Sequence, residues 1–173
     1  MTSTAQPEFS RLVPLARLGA EPFRQEIAAT EAERAALARR FDLPVVDRLS
    51  AEVELVRLGG DMFRLRATFS AEFVQSCVVT LDPVRGAASE AFTLLYALPE
   101  MEAEAGETVE DEIAFEPLVG NAIDVGEAVA QQFSLALPPF PRSPDAILDA
   151  KVPAADEPGP LAAALSRLVD RPR

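Results

Sequence analysis

The chain has 173 residues, of which 49% are hydrophobic, and a chain of this size can form one domain with its own core. It contains one cysteine, Cys77, and no histidine. This composition excludes an internal disulfide, any catalytic triad that uses histidine, and a zinc site built from cysteine and histidine. The net charge of −12 argues against direct nucleic-acid binding, because a protein that binds phosphates normally carries a basic patch.

The excess of acidic residues is unevenly distributed. Residues 101–150 hold eleven acids and one base, Arg142. Such acidity serves solubility, and in some proteins it binds a basic partner. The first residues lack a basic region followed by an apolar run, and no window approaches about 18 consecutive apolar residues. We therefore expect a cytoplasmic protein that binds neither membranes nor DNA.

The first quarter of the chain predicts two short strands and a helix. Residues 9–15 and residues 22–28 are rich in apolar side chains, and turn residues between them predict that the two strands pair. Thr30 and Glu33 have the spacing of a capping box, in which each side chain accepts a backbone N–H of the other residue. We predict that a helix over residues 31–41 follows.

The strongest hairpin signal in the sequence is the glycine-rich turn at residues 59–61. A three-residue loop places Leu55 opposite Leu65 and Glu54 opposite Arg66, whereas two-residue loops oppose arginines to apolar residues or to each other. We therefore predict the three-residue loop, with a glycine at positive φ. The second strand then has an apolar face made of Phe63, Leu65, Ala67, Phe69, Ala71 and Phe73.

The stretch over residues 72–83 has the pattern of a central strand that runs into a proline-marked turn. Phe73 and Cys77 fall on one side of an extended chain, with apolar residues on the other side, so we predict burial on both faces. Residues 84–89 predict a loop, and residues 91–98 predict a return strand. The expected fold class is α+β: a mainly antiparallel meander, curled or partly closed, packed with two or three helices.

Acidic side chains are concentrated between this return strand and a second helix. Residues 100–116 contain eight acids and no base, a composition typical of a solvated loop and also compatible with a recognition surface. Asp124 and Glu127 repeat the capping-box spacing and predict a helix that reaches about residue 135 and ends before Pro138. The candidates for an acidic partner surface are Glu104, Glu107, Glu110, Asp111 and Glu112.

The composition changes after this helix, since residues 138–160 contain seven prolines. We predict a single α+β domain over residues 1–140 and a proline-rich extended tail over residues 141–173. A short helix near the end is indicated by leucines at helical spacing: Leu161, Leu165 and Leu168. Because so short a helix is marginal alone, we expect it to dock on its own domain or on a partner.

Few residues are candidates for chemistry. Carboxylates at Glu110 to Glu112, Asp124 and Glu127 are the formal candidates for acid–base work or for binding a divalent cation. Helix capping accounts for Asp124 and Glu127, and solvation accounts for the acidic run, so we expect no enzyme, no cofactor and no bound metal. Cys77 lies on the apolar side of its predicted strand with no cation adjacent in sequence, so we expect a buried, inert thiol.

Four segments, in this order, carry a family resemblance. They are Cys77 to Pro83, similar to a Cys-x-x-Cys-Leu-x-Pro motif; Ile123 to Glu127 and the following helix up to Leu137-Pro138; residues 141–146; and residues 158–165. In order and spacing the chain resembles the YceD family, the bacterial large ribosomal RNA subunit accumulation proteins, and specifically members of the alphaproteobacterial type. The motif residues proposed to have a structural or partner-binding role are Cys77, Leu81, Pro83, Asp124, Glu127, Leu137 and Pro138.

The resemblance implies a non-enzymatic accessory role in large-subunit rRNA accumulation and ribosome assembly. Thr80 stands where the family motif has its second cysteine, so a metal site is not carried over to this chain. The family resemblance and the net negative charge together predict contact with a basic ribosomal or ribosome-assembly protein, and contact with rRNA only indirectly.

Two alternatives stay open. One is a direct RNA-binding module that uses Arg64, Arg66 and the arginines of the C-terminal end. Glu52 and Glu54 across the predicted hairpin weigh against it, because they neutralise that face. The other is a carboxylate-dependent enzyme that binds Mg²⁺ or Mn²⁺.

Overall fold

The computed structural model describes residues 7–59, 61–97 and 114–147, together with Gly159. Seven β-strands and two α-helices occupy these residues. The strands are β1 (Leu12–Pro14), β2 (Phe23–Ala28), β3 (Val45–Gly59), β4 (Met62–Ser76), β5 (Pro83–Ala97), β6 (Ala114–Pro117) and β7 (Ala122–Asp124), and the helices are α1 (Glu31–Arg40) and α2 (Val125–Ala136). The candidate acids from Glu104 to Glu112 and the predicted C-terminal helix lie outside the described residues.

The main sheet contains five strands in the order β2-β3-β4-β5-β6. Its first four strands are consecutive and antiparallel, whereas β6 joins β5 in parallel. The prediction of an α+β fold with a mainly antiparallel meander is therefore confirmed. Whether the sheet is curled or partly closed, and where the domain ends, stay predictions.

The register of the β3–β4 hairpin is the predicted one. Leu55 lies opposite Leu65 and Glu54 lies opposite Arg66. Gly59 takes the positive φ that the turn requires, at 137°, after a shift of register between Arg57 and Gly59. All six residues of the predicted apolar face of β4 are buried, so the alternation of side chains was sufficient to identify the core face.

The predicted central strand over residues 72–83 is wrong beyond Ser76. β4 ends there, and the chain turns between Cys77 and Asp82, with the Cys77 N–H donating to the Asp82 carbonyl at 2.8 Å. Leu81 adopts a left-handed φ of 64°, which the β-branched residues before it did not predict. The predicted loop over residues 84–89 is wrong for the same reason, because β5 already begins at Pro83 and pairs with β4 from there.

The predicted pairing of the first two strands is also wrong. Both strands form, but β1 pairs with β7 in a separate two-stranded sheet, and β2 pairs with β3. The partner of β1 lies more than a hundred residues away in sequence. A turn signal between neighbouring strands carries no information about such a distant partner.

Helix α2 covers the apolar face of β4 and completes the core. The Phe133 ring lies 5.5 Å from the Phe73 ring and 6.4 Å from the Phe69 ring, and its edge meets Phe41 at 5.8 Å. Phe133 is fully buried, as are Val125 and Val129 on the same helix. The aromatic contacts of one side chain therefore connect α2 with β4 and with Phe41 at the end of α1.

Replacing Phe133 with alanine should lower the free energy of unfolding by about 3–5 kcal/mol, because it leaves a cavity between α2 and the sheet. Val119→Ala is the control, since the Val119 side chain is 80% exposed and its truncation should cost less than about 1 kcal/mol. Urea unfolding measures both. Equal losses in the two variants would contradict the described packing.

Candidate functional site

Asp124 is the most heavily hydrogen-bonded carboxylate in the described chain. Its Oδ1 accepts the N–H groups of Gly126 and Glu127, each at 3.1 Å, which confirms Asp124 as the predicted N-cap of α2. The same oxygen accepts the Arg11 N–H at 2.7 Å, and Oδ2 accepts the Ser10 hydroxyl at 2.6 Å. One side chain thus caps the helix and fastens the N-terminal segment to it.

Gly126 makes room for this N-terminal segment. A Cβ atom at Gly126 would lie 2.5 Å from the Phe9 carbonyl oxygen and 2.9 Å from the Arg11 nitrogen. Both contacts are to backbone atoms, which have little freedom to move away. Within the Ile123 to Glu127 motif, the glycine therefore permits the close approach of two backbone segments.

Glu127 binds an arginine instead of closing the second predicted capping box. Its carboxylate oxygens accept Arg40 Nη1 and Nη2 at 2.8 and 2.7 Å. Arg40 also donates to Glu8 at 2.9 Å. The hydrogen bonds from Arg40 lower the pKa of Glu127 below its usual range. Hence Glu127 links α2 to α1 and, through Arg40, to the N-terminal segment.

A second ion pair ties the N-terminal segment to the start of α1. Arg11 donates to both carboxylate oxygens of Glu33, at 2.6 and 3.0 Å. Glu33 also accepts the Thr30 N–H at 2.8 Å, while Thr30 caps the helix in return, so the first predicted capping box is confirmed. The hydrogen bonds from Arg11 lower the pKa of Glu33 to about 2. Sequence reasoning did not identify Ser10, Arg11 and Arg40 as functional residues. The carboxylates that their side chains bind lie at least 22 positions away along the chain, so no local pattern predicts these contacts.

The turn after β4 buries the Cys77 side chain completely. Its Sγ accepts three backbone N–H groups: Ser143 at 3.3 Å, Val79 at 3.4 Å and Thr80 at 3.5 Å. The bond from Ser143, followed by interactions with the Thr80 side chain and with the Thr80 and Val79 backbone, lowers the pKa of Cys77 to about 6. Burial was predicted, but the pKa shift was not, because its main donor lies 66 positions further along the chain.

The segment after α2 lies against this turn. The Val78 N–H donates to the Pro141 carbonyl at 2.9 Å, and Gln75 Nε2 donates to the Pro138 carbonyl at 3.0 Å. Leu137 is the C-cap of α2, so the helix ends before Pro138 as predicted. Two of the motif segments that are far apart in sequence are therefore in direct contact.

Of the two arginines proposed for RNA contact, one is exposed and the other is not. Arg66 lines an open groove of about 1010 Å³ across β2 to β5, beside Arg24 and Glu54, which form an ion pair at 2.7 Å. Arg64 is half-buried, and its Nε is buried without a hydrogen-bond partner in the described part of the chain. The two residues lie two positions apart on β4 and therefore on the same face of the sheet, with Glu54 opposite Arg66. Their contact with RNA stays a prediction.

The comparison with protein-family models decides the family. The model described as "Large ribosomal RNA subunit accumulation protein YceD" matches residues 65–161. The chain belongs to the YceD family. This family name implies a role in the accumulation of large-subunit rRNA. No curated protein and no solved structure matches the chain.

The YceD match covers the Cys77 turn, the Asp124 cap and the segment after α2, but it begins within β4. Ser10, Arg11 and Arg40 therefore lie outside it, although they hold the motif residues Asp124 and Glu127. In the residues that the structure describes, no three Asp, Glu or Cys side chains come together as a possible set of metal ligands. None of the helices there is long and apolar enough to cross a membrane.

Residues 98–113, which we call the acidic segment, connect β5 to β6. The segment leaves β5 after Ala97 and enters β6 at Ala114, which lies beside Leu94 in the parallel pair. Glu116 on β6 lies beside Tyr96, whose pKa is raised by burial and by the Glu116 charge. Seven acids and no base lie between these two anchor points.

Replacing Gly126 with alanine should destabilise the fold by about 1–3 kcal/mol, because backbone atoms of Phe9 and Arg11 must shift. Hydrogen exchange at the Arg11 amide, which donates to Asp124, should accelerate at the same time. Gly19→Ala is the control, since nothing lies within 4 Å of a Cβ there, and it should stay within about 0.5 kcal/mol. Unchanged exchange at Arg11 would contradict the role assigned to Gly126.

Replacing Glu33 with glutamine should cost about 0.5–1 kcal/mol near pH 7, a small loss because the pair with Arg11 is partly exposed. The depressed pKa means that this contribution is fully present above about pH 4.5 and disappears as the pH falls towards 2. The difference between native and variant stability should therefore shrink across that window. Glu31→Gln, on the same exposed turn, is the control, and a pH-independent difference at Glu33 would contradict the assignment.

Proposed function

We propose that the protein supports the accumulation of large-subunit rRNA as a non-enzymatic assembly factor that binds a basic ribosomal or ribosome-assembly protein. The observation that carries the proposal is the acidic segment between β5 and β6. Its seven acids account for more than half of the net charge of −12. The membership of the YceD family supports a role in rRNA accumulation. The negative charge of this chain supports a basic protein as its partner.

Pairing of the arginines supports a protein partner over RNA phosphates. Six of the twelve arginines in the described residues form an ion pair with a carboxylate, which partly neutralises their charge. The pairs are Arg11–Glu33, Arg24–Glu54, Arg40–Glu8, Arg40–Glu127, Arg48–Glu72, Arg57–Asp61 and Arg85–Asp47. RNA phosphates compete poorly for cations that already have an anionic neighbour, and they are repelled by the acidic segment.

The positions of Ala97 and Ala114, at the two ends of the acidic segment, support its role as a single binding surface. Both residues belong to neighbouring strands at one edge of the described sheet, so the chain leaves and re-enters the sheet at the same edge. A basic protein meeting several carboxylates in a small region gains in association rate and in orientation. This binding is expected to weaken strongly with salt.

Two of the candidate catalytic carboxylates, Asp124 and Glu127, and the thiol of Cys77 are already engaged in contacts within the described residues. Asp124 accepts four hydrogen bonds, and Glu127 is paired with Arg40. Cys77 is buried and accepts three N–H groups. These contacts favour a binding role, in which the same residues hold the domain together.

Cells that lack the protein should show a deficit of large-subunit rRNA, and the tagged protein should sediment with immature large-subunit particles in a ribosome gradient. Mass spectrometry of those fractions identifies the partner. Normal rRNA levels, with the protein remaining at the top of the gradient, would overturn the proposal as a whole.

The acidic segment is tested by replacing Glu104, Glu107, Glu110, Asp111 and Glu112 with the corresponding amides. We expect at least roughly tenfold weaker binding to the partner, or ~1.4 kcal/mol. A variant with the same charge change elsewhere, at the exposed Glu21, Glu26, Asp42, Glu52 and Glu90, should bind nearly as well as the native protein. If the two variants weaken partner binding equally, the acidic segment contributes only through the net charge of the protein and is not the binding surface.

The RNA alternative is an outcome of the same assay. Replacing Arg64 and Arg66 with glutamine should leave partner binding and rRNA levels unchanged under our proposal. If those substitutions abolish binding to purified rRNA while the acidic variant binds it normally, direct RNA recognition replaces the protein partner.

A further inference from the structure

Exposed apolar side chains occur on both of the segments that meet at the Cys77 turn, namely the turn itself and the chain from the end of α2 onwards. Leu81 is 77% exposed, Phe140 is 75% exposed and Ile147 is 83% exposed. Val78 on the turn and Leu135 at the end of α2 are also exposed. We call this set of five residues the apolar tip. Isolated exposed apolar residues are ordinary, but a group on adjoining segments indicates a surface that something covers.

Hydrogen bonds hold the two parts of the apolar tip against each other. The Val78 N–H binds the Pro141 carbonyl at 2.9 Å, and the Ser143 N–H binds Cys77 Sγ at 3.3 Å. Leu81 itself sits at a φ of 64°, which costs energy for a leucine and persists only where the surrounding structure imposes it. The turn therefore keeps an apolar side chain in solvent at the expense of backbone strain, and the surface is preformed.

The chain itself offers the occupant. The described backbone runs through the apolar tip to Ile147, only fourteen residues before Leu161 in sequence. A linker of that length spans up to ~45 Å, so the C-terminal residues reach the tip easily and at high effective concentration. Leu161, Leu165 and Leu168 have helical spacing, and a helix this short needs a surface to pack on.

The charges of the C-terminal residues and of the domain also favour contact between them. The described domain holds more acids than arginines, whereas residues 161–173 hold three arginines and one acid, Asp170. The C-terminal end is therefore attracted to the domain as a whole. On the two segments of the tip, the exposed charges are the carboxylates of Asp82 and Asp145 and the guanidinium of Arg142.

We propose that residues 161–168 dock as a short amphipathic helix on the apolar tip of the same molecule. The leucine face packs against Leu81, Val78 and Phe140, and the arginines extend over the acidic domain. This inference does not depend on the proposed function, since its readout is structural and its failure leaves the rRNA experiment untouched.

NMR of the full-length protein at monomeric concentration tests the proposal. Residues 161–168 should show helical Cα shifts and order parameters near those of α2, about 0.85. Leu165→Ser/Leu168→Ser should lower these order parameters below about 0.6 and shift the amide signals of Val78, Val79 and Thr80. Amides in β1 and β7 should not move.

The reciprocal variant is Leu81→Asn. Asparagine tolerates positive φ, so the turn keeps its shape while the apolar group is removed. Residues 161–168 should lose order in this variant, whereas Val119→Ser, which removes another side chain that is 80% exposed, should leave them ordered.

Three outcomes overturn the proposal. The first is a native chain in which residues 161–168 have random-coil shifts and low order parameters. The second is order that appears only as protein concentration rises, which would assign the surface to a second copy. The third is order that appears only when an isolated large-subunit precursor particle is added, which would assign it to an assembly partner.

Discussion

The fold depends on one carboxylate that serves two segments at once. Asp124 satisfies free N–H groups at the start of α2, and with its remaining capacity it binds Ser10 and the Arg11 backbone. Gly126 allows that approach, and Arg40 and Glu33 extend the connection to α1. The first strand has a partner because of this arrangement, since β7, with which it pairs, ends at Asp124.

The features that sequence reasoning found were local ones. Both helix starts followed from an N-cap residue and its neighbours, and the β3–β4 register followed from the side chains that a turn places opposite each other. The turn at Cys77 was missed because Val78, Val79 and Thr80 favour strands, while the residue at positive φ is a leucine instead of a glycine. The hydrogen bonds from Ser143 to Cys77 and from Ser10 to Asp124 join residues that are far apart in sequence. No local sequence pattern predicts such bonds.

The YceD match and the folding unit have different extents. The match begins at Leu65, inside β4. Yet β4 pairs with β3 from Met62 to Val74, and the motif residues Asp124 and Glu127 bind Ser10, Arg11 and Arg40. The residues that carry the family likeness are therefore held in place by a part of the chain that the likeness does not cover. A fragment containing only the matched residues would lack all of these contacts, because β3 and the three partner residues lie before residue 65.

The parallel strand β6 has a consequence for self-association. In the described sheet, β6 is an outermost strand, and such strands offer free N–H and C=O groups to neighbouring molecules. Here that strand is four residues long, carries the charge of Glu116, and ends in Pro117, which has no N–H to donate. The opposite margin, β2, places Arg24 and Glu26 towards solvent. Both margins therefore resist the strand-to-strand growth by which open sheets form fibrils, and three long strands can remain between them without aggregating.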